Sequence, residues 1–260
     1  MKKINRFFVL LAAATAVMPS CTKRLIPLPL EFCNISTITV TESGLPDTAV
    51  LHLSYDRLGR ITSLASGSSA RTYTYTTDTN VVVRNGATTD SVTLNSSGLM
   101  TLDVTRVSGS TDYLDTYYYY SGTEVTSASL WYDGQFPGPG DYYSYNWDGS
   151  NLANWDPQAG LTSTGTYGYT YNSSPSATGD YFYVTQVLGT PWPVIKTANQ
   201  VATVQQYFNL STVTYSNYPN GRISGMTIIT TDITGQSAPD TVTYAYQYEC
   251  QLAFLTVDQK

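Results

Sequence analysis

"YDRLGRITSL", residues Tyr55–Leu64, places an aromatic residue, a turn around Gly59, a basic residue and then alternating apolar positions in one short stretch. Such an order describes a β-hairpin. One strand ends at Tyr55-Asp56, Leu58-Gly59 lies in the turn, and Arg60 opens the returning strand facing Asp56 across the ladder. Glycine suits the turn because a hairpin forces a positive φ there. Asp56, Arg57 and Arg60 then read as turn chemistry, an exposed ion pair being worth about a few tenths of a kcal/mol.

The same grammar extends along the chain. Period-two alternation recurs in LHLSY, RTYTYT, SVTL, YYSYNW, TYGYTY and TVTYAYQYECQLAFL, each with an aromatic or aliphatic face opposed to Ser, Thr or another polar residue. Between these runs stand turn signals such as RNGATTD, NSSG, FPGPG, WDGS, NSSPSATG, YPNG and TGQSAPD. VTLNSSGLMTLDV, YSYNWDGSNLANW and TYSNYPNGRISGM align with the opening segment on their glycines. No stretch shows a 3.6-residue period for the ten or so residues an ordinary helix requires. With 23 tyrosines and abundant Ser and Thr, the composition favours strands. The expectation is one all-β domain over residues 32–260. It is an antiparallel meander of repeated hairpins, about 12 strands or more, curled into an open or closed barrel-like sheet.

The N-terminus reads differently. Lys2, Lys3 and Arg6 precede the apolar run Phe7–Val17, a signal-peptide pattern over residues 1–20. The run is shorter than the ~20 residues of a membrane-spanning helix. Cys21, with Ser20 before it, resembles the bacterial lipobox. That resemblance implies acylation of Cys21, which becomes the first residue and a stable membrane anchor. The alternative is a plain secreted protein in which Cys21 is only a thiol. Residues 21–31 form a tether, because Pro27 and Pro29 exclude a helix.

Taken together, the tyrosine-rich hairpins and this N-terminus resemble a known group. YDRLGRITSL looks like the YD repeat of RHS-type proteins, whose hairpins add side by side into a curling sheet. The whole chain is similar to Bacteroidetes lipoproteins of unknown function with a porin-like, meandering β fold. The resemblance implies a fold and an address in the cell envelope, and no activity. The segment TKR after Cys21 lacks the acidic residues that similar surface-exported lipoproteins often carry, so the resemblance implies an outer-membrane protein facing the periplasm, with surface exposure left open. A bilayer-spanning porin is disfavoured, since its outward face must be an apolar band whereas these strands oppose tyrosine to threonine and serine.

Composition also limits partners and chemistry. Loss of Lys2, Lys3 and Arg6 takes the net charge from −6 to −9, so nucleic acid is excluded as a partner. Cys33 and Cys250 either form a disulfide closing nearly the whole domain or stand as two separate thiols. His52, the sole histidine, faces away from Leu51, Leu53 and Tyr55 and has no nucleophile signature beside it. No metal or cofactor pattern emerges: zinc needs three or four ligands, and no turn follows the calcium-loop spacing. A glycosidase pair of carboxylates has no visible motif, and the chain reads as a non-enzyme.

The four tryptophans, Trp131, Trp147, Trp155 and Trp192, fall in one third of the chain, with Tyr132 and Phe136 nearby. They form the candidate ligand region, because aromatic faces stack on sugars or apolar molecules. The competing assignment is cross-strand packing. Two functional readings result. One is a lipid-anchored structural or interaction module that binds another envelope component. The other is a glycan or small-ligand binding protein using residues 131–192.

Overall fold

The computed structural model describes residues 30–135, 142–157, 165–190 and 192–253, with side chains described within 33–250. The signal peptide, Cys21, tether residues 22–29 and Phe136 lie outside the described residues, whereas Leu30 and Glu31, read as tether, already open the first strand. Contacts between Cys33 and Cys250 form one compact unit. Sixteen strands follow in order: β1 (Leu30–Glu42), β2 (Ala49–Tyr55), β3 (Ile61–Ser66), β4 (Ser69–Tyr75), β5 (Asn80–Asn85), β6 (Thr88–Leu94), β7 (Met100–Val107) and β8 (Tyr113–Ser121). They continue as β9 (Glu124–Tyr132), β10 (Tyr142–Asp148), β11 (Asn151–Asp156), β12 (Tyr167–Pro175), β13 (Asn199–Gln206), β14 (Asn209–Asn217), β15 (Ile223–Asp232) and β16 (Asp240–Ala253). Each strand neighbours the next and β1 neighbours β16, so the meander is a closed barrel.

Alternation sorts the wall into two faces. Leu53 sits opposite Leu64, Tyr73 opposite Val83 and Val213 opposite Ile228, all facing the lumen. Thr72 opposite Arg84, and the row Thr170, Thr203, Thr212, face outward. Outward His52 is exposed and pairs across the ladder with Thr37 and Ala65.

The opening hairpin has the expected turn with additional bonds. Asp56 Oδ1 accepts the Leu58 and Arg60 N–H groups at 2.8 and 3.0 Å, and Gly59 N–H donates to the Asp56 carbonyl at 3.0 Å. Gly59 adopts φ +75°, which a side chain would oppose. Asn95 and Asp232 accept in the same way from Ser97 and Leu99, and from Thr234 and Gln236. Arg60 also bonds Asp56 at 2.7 Å and lies 4.0 Å over the Tyr75 ring, so it packs as well as pairs.

Cys33 and Cys250 are joined by a disulfide across the seam between the first and last strands. Ser36 donates to the Gln247 carbonyl and Ser43 N–H to the Thr241 carbonyl, at 3.2 and 2.8 Å, along the same seam.

One rim of the barrel, where odd strands begin and even strands end, carries a collar. In seven of the eight even strands an inward aromatic residue donates to a carbonyl of the preceding strand at 2.7–3.0 Å. These donors are Tyr55, Tyr75, Tyr120, Trp147, Tyr171, Tyr215 and Tyr248; β6 places Leu94 there instead. The tyrosine of YDRLGRITSL is thus one member of a ring.

Among the described residues, the helical departure from strands enters through this collar. Residues 176–190 and 192–198 turn into the lumen and carry α1 (Tyr181–Gly189), which corrects the expectation of no helix. The segment is too short and too apolar to display a 3.6 period, as all but two of its residues are aromatic, aliphatic or glycine. Asp180 starts it by accepting the Tyr183 N–H at 2.9 Å. Before it, Gly179 has φ +94° and a Cβ there would stand 3.1 Å from the Tyr246 ring. Phe182, Val184 and Val187 are buried.

Candidate functional site

The lumen is the part of the molecule with chemistry to offer, and the plug divides it. Arg71, reaching in from β4, donates to the Val187, Leu188 and Thr190 carbonyls at 3.0–3.3 Å and so caps the helix C-terminus. Gln186 clamps the returning chain. Its Nε2 donates to the Phe182 and Ile195 carbonyls, and its Oε1 accepts the Val194 and Ile195 N–H groups, at 2.6–3.0 Å. Collar groups hold the plug too: Tyr215 accepts the Tyr181 N–H, and Tyr120 donates to the Val194 carbonyl, both at 3.3 Å.

The candidate ligand residues are not brought together. Trp131 faces outward on β9, its Nε1 donating to Ser129 at 3.1 Å and its ring edge-on to Tyr117. Tyr132 is exposed at the end of the same strand. Trp147 belongs to the collar. Trp192 follows the plug helix, lies edge-on to Tyr73 and Tyr75, and donates to the Gly98 carbonyl at 2.7 Å. Trp155 alone faces the mid-lumen, stacked on Tyr167 at 4.7 Å and on Tyr145 at 6.2 Å. Linear proximity misled because alternation and strand direction scatter neighbours over both faces and both rims.

Around Trp155 there is a cavity of about 360 Å³, bounded by Tyr118, Tyr143, Tyr145, Tyr169 and the plug residues Tyr181, Phe182 and Thr185. A second cavity of about 330 Å³ lies under the collar between Tyr55, Arg60, Tyr183 and Trp192. Sequence reading missed the tyrosines of the first. Their signal was the inward phase of YYYY, YYSYNW and TYGYTY, which becomes a site only once a helix closes the lumen opposite them.

Burial dominates the electrostatics here. It holds the Tyr118, Tyr145 and Tyr169 phenols well above their ordinary range, and nearby Asp103 adds to the effect at Tyr118. The carboxyl of Asp103, inward on β7, is pushed up to about 7 by burial and by the neighbouring Asp90. Asp90 is itself raised by burial, against the pull of Thr105 and Arg71. Among the described residues no group of three or more His, Cys, Asp or Glu converges as a metal site.

No family model matches this chain, and no curated protein matches it. Solved structures do. A porin-like protein from Bacteroides uniformis superposes with a TM-score of 0.62 at 17% identity, covering 83% of this chain and 96% of that one. A porin-like protein from Bacteroides vulgatus gives 0.51 at 14% identity, covering 83% and 99%. At such identities the likeness is one of fold.

Proposed function

We propose that this chain, a sixteen-strand barrel with the fold of those porin-like proteins, is a lipid-anchored protein of the bacterial cell envelope that stands in water beside the membrane. Cys21 carries the lipid, residues 21–29 are the tether leading into the first strand, and the domain faces the periplasm. It serves as a non-enzymatic structural or interaction module. The observation supporting this reading is the combination of a threonine-rich outer wall, on which Val50, Tyr119 and Ile229 are exposed singly among polar neighbours, with a lumen occupied by the chain's own plug. Thr72, Thr170, Thr203, Thr212 and Thr214 occupy positions where a spanning barrel needs apolar residues. Arg71, Gln186 and the collar hold the plug where a porin has its channel. Closure leaves no sheet edge for strand addition, so an envelope partner, protein or glycan, meets the curved wall or a ring of turns.

The anchoring part has a direct test. Cys21→Ala is expected to move the protein from the membrane fraction to the soluble fraction without detergent. Retention in the membrane overturns the tethered reading.

A second reading, small-ligand binding, is favoured by one observation: the aromatic cavity beside Trp155.

A further inference from the structure

The inward tyrosines differ in what their hydroxyls do, and Tyr167, which also lines the cavity, accepts from Gln206 Nε2. Those of the collar each donate to a strand carbonyl. Those deeper in the barrel, Tyr118, Tyr145 and Tyr169, and Tyr181 on the plug, line the 360 Å³ cavity. Among the described residues their hydroxyls have no hydrogen-bond partner. Tyr145 is only 7% exposed, yet its oxygen is not one of the sealed, unpartnered polar atoms, which are on Asp103, Asp115, Trp155 and Tyr246. The Tyr145 hydroxyl therefore opens on the cavity. A nine-tenths-buried side chain with a free donor facing a cavity is a group awaiting a partner.

The other lining groups narrow that partner's chemistry. Gln186 is fully engaged within the plug, and the Thr185 hydroxyl donates to the Tyr181 carbonyl at 2.7 Å. No Arg, Lys, Asp or Glu lines the space, and Arg71 is spent on the helix carbonyls. A charged guest would lose its hydration with nothing opposite it. Burial keeps the phenols protonated and therefore donors. The volume lies at the small end of the range for ligand cavities, about 300–1,000 Å³.

We infer that the lumenal cavity beside Trp155 binds a neutral molecule of one or two rings, its apolar body against the aromatic wall and a hydroxyl or carbonyl oxygen accepting from Tyr145 and its neighbouring phenols. This inference rests on the small-ligand reading above and names its site and ligand class.

Three probes of one skeleton separate the contributions by titration calorimetry on the full chain: 2-naphthol, naphthalene and 2-naphthoate. 2-Naphthol is expected to bind, naphthalene several-fold more weakly, and 2-naphthoate not at all. Tyr145→Phe, which removes one oxygen, should weaken 2-naphthol by roughly three- to tenfold and leave naphthalene unchanged, the latter confirming that the cavity is intact. If 2-naphthol or 2-naphthoate binds equally well with and without the Tyr145 hydroxyl, the inference falls while small-ligand binding stands. If no probe binds, both fall and the cavity holds water.

Discussion

Asp103 illustrates what a single buried charge does to this barrel. Its carboxyl has a solvent-sealed oxygen without a partner, and its neighbours are Asp90, Thr105 and the phenol of Tyr118. With its pKa about 7 in the fold and about 3.9 in the unfolded chain, the folded state binds the extra proton. The associated stabilisation is complete below pH ~4 and is lost as the pH rises through about 7. Urea unfolding is therefore expected to show lower stability at pH 8 than at pH 5. Asp103→Asn should raise stability at pH 8 by about 2–4 kcal/mol and flatten the slope; an unchanged slope would mean that Asp103 is solvated. This residue was not legible in the sequence, since MTLDVT reads as an ordinary strand with a polar position. Tyr55 was legible as a hairpin landmark, but its role in the collar depends on a carbonyl 20 residues earlier.

At the scale of elements, strands were readable and the plug was not. Each hairpin carries local information: turn acceptors at Asp56, Asn95 and Asp232, glycines with positive φ, and alternation on either side. YFYVTQVLG carries almost none, because a helix enclosed on all sides needs no polar face. Its legible trace was Asp180, an N-cap behind Gly179 in a segment that otherwise reads as a turn. What holds the helix is Gln186, whose side chain makes four bonds in a buried place. Gln186→Leu leaves the Ile195 carbonyl and the Val194 and Ile195 N–H groups short of a partner and removes a second bond from the Phe182 carbonyl. It is expected to cost on the order of 2–4 kcal/mol and to lower Tm by about 5–10 °C. Proteolysis should then find the plug segment first. A variant with unchanged Tm and protection would show that the clamp contributes nothing.

The whole molecule follows from closure. Sixteen strands leave no edge, the disulfide and the Ser36 and Ser43 bonds fasten the seam, and the collar admits a helix that packs inside the lumen. Curling was legible from the hairpin repeat. The count and closure were not, because both depend on register across the β1–β16 seam, which no local pattern encodes. The central claim is that this wall faces water. Thr72→Cys and Thr214→Cys put a thiol at exposed, outward positions of the wall. Treatment of membrane-attached protein in opened cells with a membrane-impermeant maleimide tests them directly. Equal labelling of both thiols with and without detergent is expected; labelling that appears only after detergent would place the wall in the bilayer instead.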